Sequence, residues 1–152
     1  MTEQFVTDKL GRQYELSIEE HDGYTDFTID HDDVWIGKAS CKAEGQFKWR
    51  LLEINIRDDV PVRQSFLVRQ LRQFFRRGVK RRSYRHLGLG DALMNCVVAR
   101  ARLMGFKAIR GSVVDQDIEQ TPYLVAWYQK HGFRLVEPGS GDISRTVVQK
   151  TL

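Results

Sequence analysis

Arg85-His86-Leu87-Gly88-Leu89-Gly90 leads without a break into residues 91–104, the clearest helical pattern in the chain. Ala92, Leu93, Cys96, Val97 and Leu103 fall near one stripe of that helix, Arg100 and Arg102 come late in it, and Gly105 stands where a left-handed cap would end it. Glycines at 88 and 90 clear side chains from the point where the chain turns into the helix. Backbone N–H groups and the positive end of the helix dipole are then open to an anion, a phosphate oxygen above all. The stretch is not a P-loop, because no Gly-Lys-Ser/Thr follows. Nor is it a dinucleotide fingerprint, because Leu93 occupies the position of the third glycine.

Upstream the apolar period changes from helical to two. Tyr14, Leu16 and Ile18 alternate with polar residues, His21-Asp22-Gly23 turns, and residues 24–29 return as a hairpin partner. Residues 34–42 (VWIGKASCK) and 49–57 (WRLLEINIR) read as two further strands around the turn-prone Ala43-Glu44-Gly45-Gln46, which completes a four-strand meander. Between meander and cradle, residues 62–77 place Leu67, Leu71, Phe74 and Phe75 at helical spacing among arginines, and Gly78 would end this basic amphipathic helix. Leu71, Phe75 and Val79 also fit a period of two, so a strand over 71–79 is the alternative. Downstream, residues 107–114 (KAIRGSVV) read as a strand and residues 122–130 as a helix with Pro122 in its first turn and Gly132 just past its end. Residues 133–136 and 143–149 read as the last two strands. The order predicts an α+β (mixed α/β) fold in one domain over residues 1–152, with a basic insertion at 59–84.

With 152 residues, 41% hydrophobic and 29% charged, the chain is long enough to bury a core of its own. No apolar run approaches the length of a membrane helix, and the N-terminus has neither the basic nor the apolar part of a secretion signal. Cys41 and Cys96 are far apart, without CxxC spacing or a nearby pair of histidines, so neither a metal site nor a disulfide framework is expected; a cytoplasmic location is. The net charge of +4 hides a strong segregation. Residues 1–33 hold 10 acids against Lys9 and Arg12, whereas residues 62–90 hold 9 cations (Arg63, Arg69, Arg72, Arg76, Arg77, Lys80, Arg81, Arg82 and Arg85) and no acid. Such a block attracts phosphate, nucleic acid or an acidic partner.

A second motif makes the first specific: Ala126-Trp127-Tyr128-Gln129-Lys130-His131-Gly132-Phe133, followed by the strand read at residues 134–136. R-x-x-G-x-G at a helix start, then a strand, then a helix ending W-Y-Q-K-H-G-F before another strand, resembles the GNAT superfamily of acyl-CoA-dependent acyltransferases. The resemblance covers most of residues 34–137. It implies a central mixed, splayed β-sheet flanked by helices, acetyl-CoA as acyl donor, and transfer of the acetyl group to a primary amine.

Carried onto this chain, the resemblance assigns the CoA pyrophosphate to the backbone of Arg85, His86, Leu87, Gly88, Leu89 and Gly90. It places Ile54 and Ile56, in the strand WRLLEINIR, beside the pantetheine arm. Tyr128 matches the family's tyrosine near the CoA sulfur, and a phenol within hydrogen-bond reach can protonate a departing thiolate of similar basicity. Direct attack requires a neutral amine and so a base; Glu53, where some relatives carry a carboxylate, is the first candidate, with Asp115 and Asp117 behind it. His86 and His131 stand at variable motif positions, where surface roles are expected.

The leading expectation is thus an acetyl-CoA-dependent N-acetyltransferase acting on a small-molecule or peptide amine. The alternative is a nucleic-acid-binding module using the Arg-rich segment 63–85 on a non-catalytic scaffold of the same fold. A third reading pairs two chains into a homodimer through Leu67, Leu71 and Phe74.

Overall fold

Two short turns set the register of the first half. Asp22-Gly23 and Asp32-Asp33 adopt positive φ throughout (48°, 81°, 53° and 60°), the handedness that matches two-residue hairpins to the twist of their strands. In this computed structural model, which describes residues 4–61 and 81–152, they join β2 (Gln13–His21), β3 (Tyr24–His31) and β4 (Val34–Glu44), and β5 (Lys48–Ile56) follows. The expected meander is therefore present, extended by β1 (Gln4–Thr7), which pairs with β2. Val6 is the one buried residue of β1, too little alternation to read as a strand. Thr25, Phe27 and Ile29 of β3 face the core, while Asp26 and Asp30 face away.

The β4–β5 ladder holds one irregularity. Cys41 faces Leu51 and Ser40 faces Glu53, so Leu52 is an extra, unpaired residue on β5. Such a bulge bends its strand and increases its twist. On its other edge β5 runs parallel to β8 (Ala108–Val113), from Lys48 opposite Ala108 to Leu51 opposite Gly111. The pairing stops at the residue before the bulge, although β5 continues to Ile56, and the sheet splays there as expected.

Between β5 and β8 in sequence lie β6 (Val60–Pro61) and β7 (Arg81–Arg82), an antiparallel pair separate from the main sheet. The basic helix expected over 62–77, its strand alternative and the stripe Leu67, Leu71 and Phe74 lie outside the described residues. So does most of the segment on which nucleic-acid binding or chain pairing would rest.

α1 (Leu89–Leu103) buries Leu89, Leu93, Met94, Val97, Val98 and Ala101 against β1, β4 and β5, and Gly105 (φ 83°) follows its end. Under it, Trp49 is stacked on Phe106 at 5.3 Å and meets Phe27 edge-on at 6.0 Å. α2 (Asp115–Gln120), α3 (Leu124–Lys130), β9 (Arg134–Val136) and β10 (Thr146–Thr151) complete the chain. β10 lies between β8 and β9 and is antiparallel to both, giving a mixed eight-stranded sheet in the order β1-β2-β3-β4-β5-β8-β10-β9. None of the described helices is long and apolar enough to cross a membrane.

Three boundaries differ from expectation. α2 carries no buried residue and hence no apolar period. Pro122 precedes α3, which starts only after Tyr123. The last strand begins at Thr146, because residues 137–145 are drawn onto the sheet by the side chain of Asp142. That carboxylate, 1% exposed, accepts from Arg50 Nη1 (2.8 Å), Arg110 Nη2 (2.6 Å) and Gly139 N–H (2.7 Å), which leaves Ile143 exposed in the loop.

Leu93 is fully buried under this sheet. Leu93→Ala is expected to lower stability by about 3 kcal/mol, read as a lower urea midpoint with an unchanged slope.

Candidate functional site

Where β5 parts from β8, its free end faces the N-terminus of α1, and α3 closes the third side. These elements enclose a cleft of about 290 Å³. Ile54, Asn55 and Ile56 form one wall, Tyr84, Arg85, His86, Gly88 and Gly90 the second, and Leu124, Trp127 and Lys130 the third. The bulge contributes directly, since it brings Ile54 to the same face as Leu51 despite their odd spacing.

The loop into α1 is held by backbone as much as by side chains. His86 and Gly88 both have positive φ (61° and 79°). Gly88 caps the helix, and no side chain caps the first turn, which leaves its donors to the cleft. The two glycines have different reasons. At Gly88 a Cβ would be strained by φ and would meet Lys9 Cγ at 3.1 Å. At Gly90 a Cβ would have ordinary contacts, 3.6 Å from Trp127 and 3.8 Å from Ile56, so glycine there keeps the cleft open without being sterically required. Arg85 Nε donates to Ile56 O (3.2 Å) and Tyr84 N–H to Arg57 O (3.0 Å), which ties the loop to the end of β5. The Tyr84 hydroxyl bonds His31 Nδ1 (2.8 Å) and its ring meets Tyr14 edge-on.

Asp91 joins the two helices of the cleft. Its carboxylate accepts from Trp127 Nε1 (2.7 Å) and Lys130 Nζ (3.0 Å) and bonds His131 Nε2 (2.8 Å). Burial pushes this carboxyl up, but the bonds from His131, Lys130 and Trp127 outweigh it and bring the pKa to about 2. The imidazole of His131 is 10% exposed in this contact, so it is a clamp between helices and not the surface group expected. His86 is exposed at the cleft rim.

Tyr128 is buried, its ring edge-on to Trp127 (5.1 Å) and Phe133 (5.3 Å). Its hydroxyl has no hydrogen-bond partner among the described residues, an uncommon state for a buried phenol. Burial first, then the charge of Asp117, push its pKa up, so it keeps its proton at neutral pH. Neither Tyr128 nor Glu53 lines the cleft. Glu53 is exposed opposite Ser40, on the other face of the sheet from Leu51. Leu87 and Leu89 send their side chains toward the core. Asp115 and Asp117 are exposed in the first turn of α2. Among the described residues no group of three or more His, Cys, Asp or Glu is placed to hold a metal ion.

Lys9 and Tyr84 belong to the cleft without any sequence signal. Lys9 arrives from the β1–β2 turn, far from the cradle in sequence, and Tyr84 reads as one aromatic residue in a basic stretch.

No protein-family model matches the sequence, and no curated protein does. Solved structures do match. The GNAT domain of S. lividans PAT superposes with a TM-score of 0.68 at 9% identity, over 99% of this chain and 97% of that one. A GNAT family acetyltransferase from Elizabethkingia anophelis with acetyl-CoA bound gives 0.57 at 12% identity, over 86% of this chain and 77% of that one. The PaiA N-acetyltransferase from Thermoplasma acidophilum, in complex with coenzyme A, gives 0.57 at 16% identity over 86% of this chain, which spans 62% of that protein's length. The chain therefore has the fold of the GNAT acetyltransferases.

The Asp91 cluster carries a pH signature. A carboxyl whose folded pKa lies below its unfolded value of 3.8 adds stability above that value and loses it as pH falls toward about 2. Solvent screening holds this contribution to about 1 kcal/mol. Denaturation midpoints of Asp91→Asn are expected below wild type at pH 7, with the gap closing between pH 3.8 and about 2.

Proposed function

We propose that the protein is an acetyl-CoA-dependent N-acetyltransferase whose donor occupies the cleft between the end of β5, the start of α1 and α3. The observation that carries this reading is the cleft itself: an uncapped helix start, reached through a left-handed glycine, faces an apolar strand end set free where β5 and β8 part. Solved structures of the same fold that hold coenzyme A or acetyl-CoA support it.

The residues present suit such a donor. The first-turn N–H groups of α1 suit phosphate oxygens. Ile54 and Ile56 offer an apolar wall to an extended arm, and Gly90 keeps the space between Ile56 and Trp127 open. The donor supplies an acetyl group activated as a thioester. Tyr128 lies behind the cleft lining, packed against Trp127; neutral and without a competing partner among the described residues, it is proposed to give its proton to the departing sulfur anion. Glu53 is proposed as the base for the acceptor amine, acting through water because its carboxylate lies outside the cleft lining. The acceptor is a primary amine on a small molecule or peptide.

Calorimetric titration with acetyl-CoA tests the site. Micromolar, stoichiometric binding is expected for wild type. Gly90→Leu should abolish it while leaving the melting temperature unchanged or higher, since leucine favours a helix over glycine by about 1 kcal/mol. A folded Gly90→Leu that binds like wild type would move the donor elsewhere. Once an acceptor is found, Tyr128→Phe should lower kcat about 100-fold with the acetyl-CoA Kd unchanged.

A further inference from the structure

Asp8 is the most heavily bonded carboxylate of the N-terminal half, and its surroundings are a turn. Oδ1 accepts from the backbone N–H of Leu10 (2.8 Å) and Arg12 (3.0 Å); Oδ2 accepts from Arg12 Nε (2.8 Å) and the Tyr14 hydroxyl (2.7 Å). The side chain is fully inaccessible to solvent. Asp8 N–H also donates to Arg12 O, Gly11 N–H donates to Asp8 O, and Gly11 takes a φ of 79°. Leu10, Gly11 and Arg12 are thereby all bonded to Asp8, which leaves the position of Lys9 between them little freedom.

That position is the cleft. Lys9 N–H donates to Leu87 O at 2.8 Å, bonding the turn to the cradle loop. The Lys9 stem lies over Gly88, where an added Cβ would meet its Cγ at 3.1 Å and press on it. Among the described residues, Arg85, Lys130 and Lys9 are the lysines and arginines of the cleft wall. Arg85 faces Asp58 at 3.6 Å and bonds Ile56 O, and Lys130 is paired with Asp91 at 3.0 Å. Lys9 has no acidic partner among the described residues.

We propose that Lys9 binds a phosphate group of the donor, and that the β1–β2 turn is a preformed arm of the cradle that delivers this charge. The inference rests on the donor reading above and extends it to a residue outside the Arg85–Gly90 motif. The arm comes from the acid-rich end of the chain, so its lysine is a local exception to the charge of its own segment. Two phosphate sources on a coenzyme A donor share this chemistry, the pyrophosphate and the 3′-phosphate of the ribose.

Titration of the full chain with coenzyme A and with dephospho-coenzyme A, at two salt concentrations, tests the arm. Lys9→Met keeps the stem over Gly88 and removes only the charge, and Lys9→Arg keeps the charge. Lys9→Met should weaken coenzyme A binding about tenfold and lessen its salt dependence, with Lys9→Arg close to wild type. A loss with both ligands assigns Lys9 to the pyrophosphate, and a loss with coenzyme A alone assigns it to the 3′-phosphate. Wild-type affinity of Lys9→Met for both ligands overturns the arm and leaves the donor site standing. No binding by wild type overturns the donor reading and the arm with it.

Discussion

One unpaired residue organises the functional half of the molecule. Leu52 interrupts the β4–β5 ladder, and the pairing of β5 with β8 ends at Leu51 beside it. A strand released on one edge exposes its backbone and one row of side chains, and this freed end carries Ile54 and Ile56 to the start of α1. Without the parting, α1 and α3 would pack over a closed sheet. With it, they become the walls of a cleft.

Several polar anchors keep that cleft in shape, and they act at different places. Asp91 holds α1 to α3 through Trp127, Lys130 and His131. Arg85 and Tyr84 hold the cradle loop to the end of β5. Asp8 fixes the turn that leans on the loop from the other side. On the far face of the sheet Asp142 gathers Arg50 and Arg110 and pins residues 137–145. Asp91, Asp8 and Asp142 each gather several donors, the arrangement in which a buried or partly buried carboxylate keeps its ionised form. Tyr128 is the opposite case, a buried polar group left without such a partner among the described residues, an uncommon state.

Much of the fold was legible because it rests on local periods. The alternation of β2 to β5, the stripe of α1 and the glycines 23, 105 and 132, all with positive φ, are written in neighbouring residues. β1 and α2 escaped because a short element with one buried residue or none leaves no period. The start of β10 escaped because its loop is set by Asp142 reaching arginines on β5 and β8.

The site divides in the same way. Gly88, Gly90 and Trp127, which line the cleft, stand in the two motifs, since the backbone conformation and helix ends they serve are local. The contribution of Lys9, the clamp on Asp91 and the placement of Glu53 on the face opposite Leu51 were decided by tertiary structure alone. Each depends on how elements far apart in sequence meet, and in the sheet a one-residue slip such as the bulge at Leu52 reassigns every side chain beyond it to the other face.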